Sequence, residues 1–96
     1  MNTKFLSSFE RDLKKCLEDG RNISIAKRIR AVIEIVERAN SISDLHAKGV
    51  DIKKLKGSES AYRIKIGRCR IGLFIEGNTA TFVRIRWRKE FYDSFP

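Results

Sequence analysis

Histidine is almost missing from this chain: His46 is the only one in 96 residues. A mechanism that passes protons between two histidines is thereby excluded. Cysteine is scarce as well. Cys16 and Cys69 belong to no Cys-x-x-Cys pair and have no histidine cluster beside them. A structural zinc site is therefore not expected, nor any other cofactor. Each cysteine is expected to fill a buried apolar slot in a reducing compartment. No apolar run approaches membrane-spanning length. The N-terminus lacks the basic-then-apolar pattern of a secretory signal. A membrane partner is not expected, and the predicted location is the cytoplasm. Repeats, low-complexity tracts and interdomain linkers are also lacking.

Negative charge is also in short supply. There are 12 Asp and Glu against 21 Lys and Arg, giving a formal net charge of +9. From Lys48 onward there are 12 basic residues against 5 acids; before it there are 9 against 7. So large an excess repels itself in a compact state and points to an anionic partner, of which nucleic acid is the commonest. Hydrophobic residues make up 42% of the chain and charged ones 34%, a globular balance. Residues 1–96 are expected to form a single domain with one core.

Asn2 to Leu6 reads as a short first strand. Ser7 and Glu10 have the spacing of a capping box. Phe9, Leu13, Cys16 and Leu17 then recur at helical spacing, with Gly20 as a stop. Asn22 is placed to cap a second helix, whose stripe is Ile25, Ile29, Val32, Ile33 and Val36. The two form a helical hairpin. Asn40 to Lys56 has weak periodicity; Ile42 and Leu45 are expected to pack locally and Gly49 to mark a loop, with Lys53, Lys54 and Lys56 as a basic run that either is solvated or contacts phosphate. His46 is expected on that loop's surface. From Ala61 the period becomes two, giving three half-buried strands. Gly67-Arg68 joins the first two, and Gly77-Asn78 joins the second and third as a hairpin turn. Trp87 to Phe95 reads as a short helix or tail. The predicted architecture is α+β: an N-terminal helical hairpin packed on one face of a small antiparallel sheet.

Strand alternation sorts the side chains. Ile64, Ile66, Ile71, Leu73, Ile75, Val83 and Ile85 are assigned to the face beneath the helices, with Tyr62 on the same parity. Arg63, Lys65, Arg70, Arg84 and Arg86 are assigned to the opposite face, with Phe74 and Phe82 among them. Like charges on neighbouring strands repel, and in sequence only Glu59 and Glu76 flank them. That face is therefore expected to be open to solvent, to bind phosphates, and to stack bases on its rings.

The residue types suit RNA cleavage without a metal. Attack by a 2′-hydroxyl needs a base for its proton, a cationic clamp for the phosphorane and an acid for the leaving 5′-oxygen. Closely spaced cations destabilise one another's charged form. By that route Lys65, between Arg63 and Arg70, would serve as the base.

At these residues the chain resembles the RelE/ParE superfamily of bacterial toxins. The matching runs are Leu55-Lys56-Gly57, Tyr62-Arg63-Ile64-Lys65-Ile66-Gly67, Arg70-Ile71, and Arg84-Ile85-Arg86-Trp87-Arg88-Lys89-Glu90-Phe91-Tyr92. The resemblance implies a RelE-like fold and the toxin of a type II toxin–antitoxin pair. It also implies mRNA and the ribosome as partners, and a cognate antitoxin with which a hetero-oligomer forms. By position it implies Lys65 as general base, Arg70 as phosphate clamp, and Arg86 as clamp or proton donor. Tyr92 would stack or orient a nucleotide, with Arg63, Trp87 and Arg88 among the RNA contacts. Two departures stand out: Cys69 occupies a place where many relatives carry an aromatic residue, and Trp87 one where many carry histidine. The second bears on the rate of cleavage more than on the fold. Trp87 either stacks a base or covers the edge of the core. Two other functions remain open, a ParE-like non-enzymatic inhibitor of DNA gyrase and a module that binds RNA or antitoxin without cutting.

Overall fold

The computed structural model describes residues 1–18 and 23–96. The elements are β1 (Asn2–Phe5), α1 (Ser7–Glu18), α2 (Ile23–Arg38), α3 (Ile42–Ala47), β2 (Asp51–Lys54), β3 (Ala61–Ile66), β4 (Cys69–Glu76), β5 (Thr79–Trp87) and α4 (Arg88–Ser94). The expected stop at Gly20 and cap at Asn22 lie outside the described residues. One five-stranded sheet has the order β1-β5-β4-β3-β2. β2 to β5 are antiparallel neighbours. β1 adds to the edge of β5 in parallel, from Asn2 opposite Thr79 to Phe5 opposite Phe82. The α+β architecture is as expected, with this parallel edge strand as an addition.

Both hairpin turns open on a glycine at φ +58°, Gly67 and Gly77. A positive φ at the first central residue matches the twist of the flanking strands and costs glycine nothing. α1 starts one residue earlier than the Ser7 capping pattern suggests. Glu10 N–H donates to the Leu6 carbonyl at 3.1 Å, so the chain turns into the helix at Leu6. The stretch of weak periodicity holds two short elements. Ser41 caps α3, its Oγ accepting from Asp44 N–H at 3.1 Å, and Leu45 is fully buried. β2 follows and buries Ile52. Six and four residues are too few for periodicity to declare itself. His46 accordingly sits on a helix, exposed, with Nε2 3.0 Å from the Ile52 carbonyl.

The main core lies between the helices and one face of the sheet. Phe9, Ile29, Val36 and Leu45 meet Ile52, Ile64, Ile66, Ile71, Leu73 and Ile85 there. Tyr62 packs against it, as its parity required. Leu17, assigned to the apolar stripe of α1, is instead 51% exposed.

The alternation of β5 breaks at a β-bulge. Gly72 pairs with Arg84, but Leu73 pairs with Phe82, leaving Val83 between them without an opposite residue. One extra residue reverses the parity of everything before it. Phe82 therefore turns into the core, fully buried and 5.4 Å from the Phe9 ring and 5.0 Å from Phe5. Val83 turns to the other face. The assignments of Phe82 to the cationic face and of Val83 to the core are thus corrected. On that other face α4 lays Phe91 and Phe95 over Ala61, Leu55, Phe74 and Val83, forming a second cluster. Phe74 is half-buried beneath this helix, 5.3 Å from the Phe95 ring, so it is not an open stacking platform either.

Gly72 makes that packing possible. A Cβ there would fall 2.6 Å from the Phe95 ring, well inside contact distance. Gly72→Ala is expected to lower stability by about 1–3 kcal/mol by overpacking and to release the C-terminal helix. Thermal unfolding together with limited proteolysis of the C-terminus reads both effects. Phe82→Ala is expected to cost about 3–5 kcal/mol as a large core truncation, measured by urea unfolding. A near-neutral result would return Phe82 to the surface.

Candidate functional site

Register sets the cations in rows across the sheet face turned away from the three N-terminal helices. Asp51, Lys65, Arg70 and Arg86 stand opposite one another on β2, β3, β4 and β5. Lys53, Arg63, Gly72 and Arg84 make the next row. Neighbouring strands are about 4.8 Å apart, so each row spans about 14 Å. Three cations in direct opposition destabilise a sheet unless something relieves them.

The relief comes from both edges and from the backbone. Arg63 donates to the Asp51 carboxylate at 2.9 Å and to the Asp51 carbonyl at 3.1 Å. At the far edge Asp12 of α1 lies 3.6 Å from Arg84 Nη1 and 3.5 Å from Arg86 Nε. Arg70 folds back on the β3–β4 turn, where Nη1 donates to the carbonyls of Gly67 (2.9 Å) and Cys69 (3.0 Å). The expectation that carboxylates were too few is therefore corrected. Asp12 and Asp51 reach the strands from elements on either side, a relation that distance along the chain does not reveal. Arg70 is also buried, only 6% exposed, where it was expected in the open. Its remaining guanidinium nitrogens are satisfied or solvated, for no buried side-chain nitrogen or oxygen among the described residues lacks a partner. Lys65 is exposed, and among the described residues no carboxylate pairs with it or with Arg70.

The cationic face is thus divided. Its upper part, from Gly72 to Phe74, lies under Phe95 and Phe91. Its lower part holds Lys65, Arg70 and Arg86. Tyr92 of α4 is 52% exposed and meets the Phe91 ring edge-on at 5.0 Å. Arg88, exposed, opens α4, and its N–H donates to the Arg68 carbonyl at 2.9 Å, tying that helix to the β3–β4 turn. The basic run does not act as one patch. Lys53 shares a row with Arg63, Lys54 lies opposite Tyr62 on the other parity, and Lys56 follows β2 in the turn. Trp87 is half-buried and stands opposite Cys69, on the parity of the core. It forms part of the wall of a cleft of about 290 Å³ between α1 and α4, which Asp12, Arg86 and Glu90 also line. Cys69 is fully buried as expected, while Cys16 is only partly so, and the two thiols are in hydrogen-bonding contact. That contact, with burial, pushes the Cys69 thiol well above its ordinary range. Among the described residues no group of His, Cys, Asp and Glu side chains has the makings of a metal site.

Asp12, Asp51, Gly72 and Phe95 escaped the sequence reading. Asp12 alone carried a signal. It falls three residues after Phe9 and beside Leu13, so an acid occupies the apolar stripe of α1.

No protein-family model matches the chain. It is 42% identical over 96 residues to Toxin RelE3 of Methanocaldococcus jannaschii, with both sequences covered in full. Among solved structures, it resembles the RelB–RelE antitoxin–toxin complex from Methanococcus jannaschii. There the TM-score is 0.74 and the identity 37%, covering 97% of this chain and 99% of the other. The archaeal RelE–RelB complex from Pyrococcus horikoshii shares the fold at a TM-score of 0.68 and 15% identity, covering 94% and 97%.

Asp51 makes the site's pH dependence explicit. The hydrogen bond from Arg63 holds its carboxyl below the usual range. Desolvation opposes this, and the charges of Arg63, Lys65 and Arg70 reinforce it. A lowered folded value means stability that is complete above about pH 4, the unfolded carboxylate range. It is lost as the pH falls through the lowered value. Because the Asp51 side chain is 55% exposed, solvent screening limits the pair to about 0.2–1 kcal/mol. Asp51→Asn should remove that increment at neutral pH and bring the two proteins' unfolding midpoints together below about pH 3, measured by denaturant melts across the acid range.

Proposed function

The chain belongs to the RelE toxin family, and on that premise we propose that it is the toxin of a RelE–RelB type pair and cleaves mRNA on the ribosome without a metal ion. The observation that carries this reading is the row of Lys65, Arg70 and Arg86, in register on three adjacent strands, with an exposed Lys65 and a half-buried Arg86 on either side of the buried Arg70.

A phosphodiester laid along that row meets three cations on strands about 4.8 Å apart. The 2′-hydroxyl attacks the adjacent phosphorus while the Lys65 amine takes its proton. Negative charge grows on the non-bridging oxygens of the phosphorane, and fixed guanidinium groups favour that state over the ground state. Arg70 is the more rigid of the two, since the Gly67 and Cys69 carbonyls hold one of its nitrogens. Arg86 closes the row from β5. The 5′-oxygen leaves with a proton donated by Arg86 or by a solvent water, and the 2′- and 3′-oxygens remain bridged by phosphate. In this reading Tyr92, exposed on α4, orients a nucleotide, and Arg63, Lys53, Arg84 and Arg88 extend the phosphate track. The cytoplasm, where translating ribosomes are found, is the location this reading requires. The silencing partner is a cognate antitoxin, the kind of complex in which the related M. jannaschii toxin was solved. A chain with a net charge of +9 favours an acidic segment there.

The test is mRNA cutting by purified protein on translating ribosomes, set beside a gyrase supercoiling assay. Wild-type protein should cut, and gyrase should be untouched. Lys65→Ala with Arg70→Ala should lower the cutting rate by about two orders of magnitude or more, on the scale of losing a transition-state clamp. Full-rate cutting by that double variant sinks the site. Gyrase inhibition without cutting would move the protein to the ParE-like class. Affinity for single-stranded RNA should also fall steeply with salt, as several phosphate contacts require.

A further inference from the structure

One acid stands where an apolar residue belongs. Asp12 is 6% exposed on the inner stripe of α1, and nothing in the reaction described above employs it. β1 pairs with β5 only as far as Phe82, so the outer edge of β5 beyond that point needs other partners. α1 supplies them. Ser8 Oγ donates to the Val83 carbonyl at 2.6 Å, and Ile85 N–H donates to Asp12 Oδ2 at 3.2 Å.

Capping one backbone N–H does not require a charge. A neutral amide serves equally, and burying a carboxylate costs more than burying an amide. The charge is balanced by Arg84 and Arg86, which approach from either side of Ile85. The geometry at Arg86 is directional, because the atom nearest Asp12 is Nε, at 3.5 Å. The side chain turns its inner nitrogen toward α1, and among the described residues no other carboxylate pairs with it.

We infer that Asp12 is a positioning residue: its carboxylate fixes the Nε side of Arg86 and thereby aims the terminal nitrogens at the phosphate undergoing cleavage. The inference rests on the nuclease reading above. It assigns Asp12 an effect on the chemical step with no contribution to RNA affinity. Among the described residues Asp12 is the one buried carboxylate, and it improves the aim of the clamp without adding to RNA attraction.

The experiment compares wild type, Asp12→Asn, Arg86→Gln and the double variant. Asparagine keeps an acceptor for Ile85 N–H and removes the charge. Single-turnover cutting on saturating ribosomes should slow by about tenfold to a hundredfold in Asp12→Asn, the range for a misaligned transition-state donor. Affinity for single-stranded RNA should hold or tighten, since the net charge rises by one. The double variant should be no slower than Arg86→Gln. Cutting by Asp12→Asn within twofold of wild type would overturn the inference, as would parallel loss of rate and affinity. So would a double variant slowed by the full product of the two single effects.

An NMR readout separates this inference from its premise. The Arg86 Nε chemical shift should move between the wild type and Asp12→Asn, with that of Arg63 unchanged. If the wild type does not cut mRNA at all, the nuclease reading falls, and the shift alone decides whether Asp12 holds Arg86. An unmoved shift in Asp12→Asn overturns the inference. Should Asp12→Asn not fold, Arg86→Lys, which keeps the charge but has no Nε to present, should slow cutting without weakening RNA binding. An Arg86→Lys protein as fast as wild type would overturn it equally.

Discussion

Mutual repulsion among cations on adjacent strands is the constraint that shapes this molecule. Lys65, Arg70 and Arg86 stand in one cross-strand row, and Arg63 and Arg84 flank the gap at Gly72 in the next. A sheet cannot carry such a face without cost. The relief is placed at the rims: Asp51 on β2 at one side, Asp12 on α1 at the other, and backbone carbonyls beneath Arg70. Neutralising the edges leaves the middle of the row positive. The residual positive charge therefore sits on adjacent strands in the middle of the row, exposed at Lys65 and buried at Arg70.

The second constraint is steric. Gly72 leaves a vacancy in the middle of the upper row, and the Phe95 ring fills it. The bulge beside it turns Val83 outward to meet α4 and turns Phe82 inward to meet Phe9 and Phe5. One irregularity therefore serves two packing surfaces. It feeds an aromatic ring to the core under the helices and supplies the apolar ground on which the C-terminal helix rests. The boundary of that helix defines how much of the sheet face stays open, and the open part coincides with the row that has no carboxylate at its centre.

Much of the architecture was legible because it is periodic. The helical hairpin showed in the stripe of Ile25, Ile29, Val32, Ile33 and Val36, and β3 and β4 in strict alternation. The hairpin turns showed in Gly67-Arg68 and Gly77-Asn78. What escaped notice has no period. α3 and β2 are too short to express one, and a single inserted residue at Val83 reversed the parity of β5, misplacing Phe82. Within the site, the cations were legible as a set because alternation alone gathers them on one face. Their partners were not, since Asp12 meets Arg84 and Arg86 across more than seventy positions of sequence. The burial of Arg70 was invisible for a related reason: its partners are carbonyls, which every residue has and no residue type announces.

The two carboxylates also differ in what they tell about the site. Asp51 is half in solvent and bonds Arg63 directly, so its contribution is weak and screened. Asp12 is buried and stands slightly beyond hydrogen-bond reach of both arginines while accepting from Ile85 N–H. A buried charge is a poor way to gain stability, because well-packed apolar residues do as well or better. A carboxylate there is more readily understood through direction than through stability, since it fixes which nitrogens of Arg86 remain available. The same helix that closes the core thus reaches round the edge of the sheet to its opposite face, and α1, which carries no cation of the row, holds the carboxylate beside two of that face's arginines.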